Sequence, residues 1–258
     1  MTNRDGAPIW YELMTDAPDA AQAFYAPVMG WVFDTPPGGM ERDYRVFAAP
    51  GGEGIGGVMP ATMPATWAFY VGVADVDAMV GRVTDLGGKV HLGPQDIPGV
   101  GRFAFVADPQ GATFYLMRGD SGTDSTAFAP AKPGHCSWNE LVTSDQDAAL
   151  VFYGALFGWT VAGAMPMGDL GDYTFLAHQG DMIGAVMTNP QPGSGSFWNF
   201  AFTVPDIDRA KTAVEAGGGV VRQGPVALPG DDDDWMIQIT DPQGAKVMLT
   251  GKREEGAA

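Results

Sequence analysis

Two acids stand out because of their neighbours. Glu12 lies in WYELMT and Glu140 in WNELVT, each two residues after a tryptophan, Trp10 and Trp138. Both stretches have the composition of short strands. A carboxylate in the middle of such a strand is costly to bury unless it is hydrogen-bonded or paired. Desolvated, it would titrate high and serve as general acid or base. Beside an aromatic wall it would instead bind a planar or cationic molecule, by charge and by cation–π contact. A purely structural role remains open too: a bond to nearby backbone, or a salt bridge to Arg45, Arg102 or Lys246. Other chemistry is sparse. There are three histidines, of which His91 and His135 read as exposed and His178 lies in a strand. The single cysteine, Cys136, excludes an intrachain disulfide and reads as a buried thiol. No phosphate-cradling glycine motif and no nucleophile elbow is present. The acidic run Asp231 to Asp234 lacks calcium-loop spacing and reads as a solvated loop.

The elements that carry these acids recur. The segment WYELMTDAPDAAQAFYAPVMGW from Trp10 returns as WNELVTSDQDAALVFYGALFGW from Trp138. IGGVM at Ile55 returns as IGAVM at Ile183, and TWAFYVGVADVD around Trp67 as FWNFAFTVPDID around Trp198. Both halves close on DPQGA, at Asp108 and Asp241. Matches in the same order along nearly the whole of each half signify a tandem duplication.

Each half is itself double. Ile9–Thr15 reads as a strand, and Asp16 as the cap of a helix with Pro18 in its first turn, stopped by Gly30. Strands follow at 31–35, 44–49 and 55–59. The order then restarts: a strand at 67–73, a helix at 76–86 capped by Asp75, and strands near Lys89, at 103–107 and at 113–117. The spacing predicts an α+β fold of four βαβββ units, paired into curved mixed sheets with helices outside and a cup inside. The expected domains are 1–118 and 135–251, joined by a small-residue and proline linker at 119–134 and followed by a polar tail at 252–258.

Composition narrows the partners. The 258 residues carry a formal charge of −17, which disfavours nucleic acid and anionic membranes. No apolar run is long enough to span a bilayer, and MTNRDGAPIW lacks the apolar core of a leader, so a cytoplasmic protein is expected.

This organisation resembles the vicinal oxygen chelate superfamily, which includes glyoxalase I, extradiol dioxygenases, and fosfomycin- and bleomycin-resistance proteins. The resemblance rests on AFYAPVMGW and VFYGALFGW, on the helix starts ADVDAM and PDIDRA, and on the two DPQGA turns. Within it, the WxEL opening is most similar to duplicated, glyoxalase-like bacterial proteins. The resemblance implies two tandem glyoxalase-like domains, and a divalent metal held by His, Gln or Glu from first and last strands. Here those positions read Trp10, Trp138, Trp67, Trp198, Tyr115 and Met248, and the strands near Gly57 and Ala185 add no hard ligand. No metal ligand and no cofactor is therefore expected, because an indole offers a metal no usable lone pair.

By alternation, Trp10 and Glu12 share a strand face, as do Trp138 and Glu140. Trp67, Phe69 and Tyr115 are expected to extend the wall in half one, and Trp198, Phe200, Phe202 and Met248 in half two. The leading reading is a small-molecule binding protein of the glyoxalase/bleomycin-resistance type without the metal, monomer or homodimer, its ligand aromatic or cationic. The alternative is a lyase, isomerase or dioxygenase using Glu12 and Glu140 as acid/base. A third reading has the cups plugged by Trp67 and Trp198.

Overall fold

The computed structural model describes residues 3–34, 43–191, 193–230 and 233–253. Asp231, Asp232 and the end of the tail lie outside them. The first module runs β1 (Pro8–Thr15), α1 (Pro18–Met29), β2 (Val32–Asp34), β3 (Arg45–Ala48) and β4 (Gly54–Pro60). The second runs β5 (Thr66–Gly72), α2 (Val76–Asp85), β6 (Lys89–Ile97), β7 (Gly101–Ala107) and β8 (Thr113–Gly119). Half two repeats both: β9 (Cys136–Thr143), α3 (Gln146–Phe157), β10 (Thr160–Pro166), β11 (Asp172–His178) and β12 (Asp181–Thr188), then β13 (Phe197–Asp206), α4 (Ile207–Ala216), β14 (Val220–Ala227), β15 (Trp235–Thr240) and β16 (Lys246–Lys252).

The strands form two eight-stranded mixed sheets, in the orders β2-β3-β4-β1-β5-β8-β7-β6 and β10-β11-β12-β9-β13-β16-β15-β14. Within every module the first and last strands run parallel, as β1 with β4 and β9 with β12, and the other pairs inside the module are antiparallel. This is the expected α+β architecture of four βαβββ modules in two glyoxalase-like domains.

Helix boundaries follow local chemistry. Asp75, Asp145 and Asp206 each accept a bond from the backbone amide three residues on, in α2, α3 and α4. The first helix differs from expectation. Ala17, not Asp16, is its N-cap, and Pro18 at the first helical position removes an amide that would need a partner. Gly30 and Gly158 end α1 and α3 in the left-handed region, both at φ 72, where a glycine pays no Cβ penalty.

Backbone packing divides the described residues into two compact units that cut across the halves. One comprises Met1–Ile9, Ala68–Ser125 and Trp138–Asn199; the other comprises Trp10–Trp67, Thr126–Ser137 and Phe200–Ala258. The first unit thus holds most of modules two and three, and the second most of modules one and four.

Each unit has an aromatic core. In the second unit Tyr11 meets Phe200 and Phe202 edge-on at 5.3 and 5.5 Å. Trp31 stacks on Phe47 at 4.1 Å, and Trp67 packs on Tyr25 and Phe202. In the first unit Tyr153 stacks on Trp159 at 5.3 Å, and Trp198 sits against Tyr153 and Phe69. Burying each ring contributes about 1.5–3 kcal/mol, and favourable ring geometry adds about 1 kcal/mol per pair.

The segment expected to be an exposed linker is partly folded in. Ala127 is buried, Phe128 bridges to Cys136, and the Trp31 indole donates to the Gly134 carbonyl at 2.8 Å. His135, expected to be exposed, is fully buried here with its Nδ1 2.6 Å from the Thr126 carbonyl. Cys136 is buried and in no disulfide, and His91 is exposed.

Candidate functional site

The half-two acid sits in a complete hydrogen-bond relay. Alternation along β9 puts Trp138 and Glu140 on one face. β12 runs beside it in parallel with Ala185 opposite Glu140, and β11 is the next strand out. That pairing brings Tyr173 over the acid. The Trp138 Nε1–H donates to the Tyr173 hydroxyl at 2.8 Å, and that hydroxyl donates to Glu140 Oε2 at 2.9 Å. The other carboxylate oxygen, Oε1, accepts from Asn199 Nδ2 at 3.1 Å. Each group uses the role its chemistry allows: indole as donor only, phenol as both, carboxylate as acceptor only. Phe175, two residues along from Tyr173, meets Trp138 edge-on at 6.1 Å. Burial, and then the Glu140 charge, pushes the Tyr173 phenol well above its ordinary pKa, so it stays a proton donor at neutral pH.

Half one repeats the relay with different surroundings. The Trp10 Nε1–H donates to the Tyr44 hydroxyl at 3.1 Å, and Tyr44 is hydrogen-bonded to the Glu12 side chain. Burial, and then Glu12, raises the Tyr44 phenol well above its ordinary value. Gly57 stands opposite Glu12 on β4. A Cβ there would lie 2.1 Å from the Tyr44 hydroxyl oxygen, so the phenol occupies the space a side chain would fill. In the aligned sequences the half-one counterpart of Asn199 is Ala68, which has no side-chain donor. Arg45 is engaged by Asp19, Asp43 and Gln22, and Arg102 by Asp77 and Asp96. The Arg45 bond holds the Asp43 carboxyl below its ordinary range.

Trp67, Phe69, Trp198, Phe200 and Phe202 do not join these acids. They lie on the helix-facing side of β5 and β13, in a second pair of relays. Trp67 Nε1–H donates to Tyr25 at 3.2 Å, and Tyr25 donates to Asp241 Oδ2 at 3.0 Å. Trp198 Nε1–H donates to Tyr153 at 3.2 Å, and Tyr153 donates to Asp108 Oδ2 at 3.1 Å. The remaining oxygen of each aspartate caps its own DPQGA turn, accepting from Gln110 and Ala112 or from Gln243 and Ala245. Burial raises both aspartates above their ordinary pKa, against the pull of these donors.

The expectation that those rings line the cups is thereby corrected. Aligning Trp67 with Trp10 by residue type slips the strand face by one, and one residue reverses every side chain. Tyr115 is on the side opposite the helices: it stacks on Tyr70 at 4.3 Å and on Phe105 at 4.6 Å. Met248 pairs with Ala201, on the strand face opposite Phe200 and Phe202. Sequence reasoning missed Tyr44, Tyr173 and Asn199. The signal for the tyrosines was the repeated Asp-Tyr before β3 and in β11, at Asp43-Tyr44 and Asp172-Tyr173.

The donor set does not fit the divalent metal that the resemblance implies. Among the described residues no three of His, Cys, Asp and Glu come together as a metal-ion cluster. Glu140 accepts from a phenol and an amide N–H, and no His, Cys, Asp or Glu pair joins it among the described residues.

Paired βαβββ modules with parallel first and last strands define the glyoxalase-type class. Residues 11–117 match the family described as glyoxalase-like domain. Residues 132–249 match the Glyoxalase/Bleomycin resistance protein/Dioxygenase superfamily. The chain is 33% identical over 248 residues to "Putative glyoxylase CFP32" of Mycobacterium tuberculosis, covering 94% of this chain and 93% of that one. It is 32% identical over 279 residues to "Anthracycline biosynthesis protein DnrV" of Streptomyces peucetius, covering 96% and 94%. Among solved structures, the Mn(II)-bound glyoxalase from Novosphingobium aromaticivorans superposes at a TM-score of 0.68 and 21% identity, over 97% of this chain and 83% of that one. The halotolerant catechol dioxygenase BphC does so at 0.68 and 14%, over 96% and 87%. The chain belongs to the glyoxalase/bleomycin resistance/dioxygenase superfamily.

Proposed function

We propose that this protein, a member of the glyoxalase/bleomycin-resistance type, binds a small planar molecule against the Trp–Tyr–Glu faces, and that it does so without the family's metal. The relay around Glu140 carries this reading. A metal needs several such ligands, whereas among the described residues Glu140 joins no group of three His, Cys, Asp or Glu, and its partners are a phenol and an amide. Half-buried Trp10 and Trp138 present ring surface beside the acids, the usual make-up of a small-molecule site. The relative named for anthracycline biosynthesis supports a fused-ring ligand. Trp10, Glu12, Trp138 and Glu140, with Tyr115 and Met248, are the proposed contact residues. The formal charge of −17 supports a partner other than nucleic acid. No helix among the described residues is long and apolar enough to cross a membrane, which accords with a cytoplasmic setting.

Titration of tryptophan fluorescence with 1,4-dihydroxyanthraquinone tests the reading. Saturable quenching that is unchanged by a chelator is the expected result. Binding that appears only on adding Mn(II) overturns it. The alternative reading, a glyoxalase-like lyase, isomerase or dioxygenase with Glu12 or Glu140 as acid/base, is favoured by the name of the mycobacterial relative. It requires turnover of a small carbonyl or catechol substrate that Glu12→Gln and Glu140→Gln abolish.

A further inference from the structure

We propose that the half-two site is a receptor for an organic ammonium group, with Glu140 supplying the counter-charge and Asn199 acting as the positioning residue that sets the preference for a cation. The proposal rests on the small-molecule reading above and names the ligand class of one of its two sites.

Charge is the first argument. Glu140 is only 8% exposed, and its partners, Tyr173 and Asn199, are both neutral. Among the described residues no lysine, arginine or histidine forms an ion pair with it. A buried carboxylate without a counter-ion is expensive, and two neutral donors relieve only part of that cost.

Geometry is the second argument. Tyr173 and Asn199 take one acceptor position on each oxygen, and each oxygen has a further lone pair for an N–H donor. Trp138 and Phe175, both half-buried beside the acid, add ring faces that attract a cation. One carboxylate with aromatic walls suits an ammonium, which needs no ligand set. The same donors are too few for a metal ion.

Asn199 separates this site from its half-one copy, whose aligned residue is Ala68. Its amide fixes Oε1, so the carboxylate presents its free lone pairs in one orientation. Losing that donor should lower the preference for a cation rather than binding in general.

A matched probe pair tests this: 1-(2-aminoethylamino)anthraquinone, which carries an ammonium, and its N-acetyl derivative, which does not. The ammonium form is expected to bind about tenfold tighter at neutral pH. Glu140→Gln should bring the two within about twofold while ring binding persists. Asn199→Leu should cut the ratio about threefold, and Asn199→Gln should restore part of it. The ratio of the two affinities is the readout, because a loss of packing alone would lower both together. Equal binding of the two probes to the unaltered protein overturns the ammonium inference and leaves the small-molecule reading standing. Loss of the preference in Glu12→Gln, with Glu140→Gln unaffected, overturns the assignment to half two. Saturable binding of neither probe, nor of 1,4-dihydroxyanthraquinone, overturns both readings.

Discussion

The Glu12 and Glu140 sites share one device and differ around it. In both, an indole N–H holds a phenol that is hydrogen-bonded to a carboxylate. Opposite the acid, half one has Gly57 and half two has Ala185; beside the acid of half two stands Asn199, where half one reads Ala68. The Ala185 methyl, the Asn199 amide and the Phe175 ring, where half one reads Val46, therefore separate the copies. Glu12 is 2% exposed and Glu140 8%, so the half-one acid is the deeper of the two. The duplication kept the relay and let its surroundings drift.

The helix-side relays give the baseline against which that difference is measured. Asp108→Ala and Asp241→Ala each strand a buried phenol and two turn amides, and each should cost about 3 kcal/mol in urea unfolding. Unequal losses would show that the asymmetry reaches beyond the acid faces. Gly57→Ala should cost about 2 kcal/mol and uncouple Tyr44 from Glu12, seen as a shift in Trp10 emission. The reverse change, Ala185→Gly, should cost less than about 1 kcal/mol. A large loss there would mean that Tyr173 depends on Ala185 as Tyr44 depends on Gly57. Tyr44→Phe and Tyr173→Phe should each cost about 1 kcal/mol, and only the second should change the ammonium preference.

The smallest effect is on pH. Burial holds His135 and His178 below the ordinary histidine value of 6.5. Between the lowered and the ordinary value the unfolded chain binds more protons than the folded one, so stability rises with pH. It should fall as pH drops from about 6.5 through the lowered values, by about 1 kcal/mol or less, as read from urea midpoints at pH 7.5 and 5.5. His135 belongs to one compact unit and His178 to the other. Replacing either with Gln should remove about half of the effect, and an unequal split would assign the acid sensitivity to one unit.

The module pattern and both acids were legible because duplication and strand alternation are local signals. WxEL fixes which residues share a face with Glu12 and Glu140 whatever the rest of the chain does. The partners were not legible, because Tyr44 and Tyr173 reach the acids through hairpin register, which the sequence states only as a repeated Asp-Tyr. Trp67 and Trp198 misled by type: a large ring at a strand start matches Trp10, yet its indole answers to Tyr25 or Tyr153 on the other side. His135 was misread for a related reason, since its cover comes from the linker carbonyl of Thr126.

The two Tyr–Asp bonds also set an order of assembly. Tyr153 and Asp108 are 45 residues apart, while Tyr25 and Asp241 are 216 apart. Closing the longer loop costs about 1.4 kcal/mol more chain entropy. On the ribosome, the unit built from the middle of the chain can make its Tyr153–Asp108 bond before the last module exists. The unit that holds Trp10 and Glu12 must wait for the final strands, so the first strand synthesised is among the last to be locked.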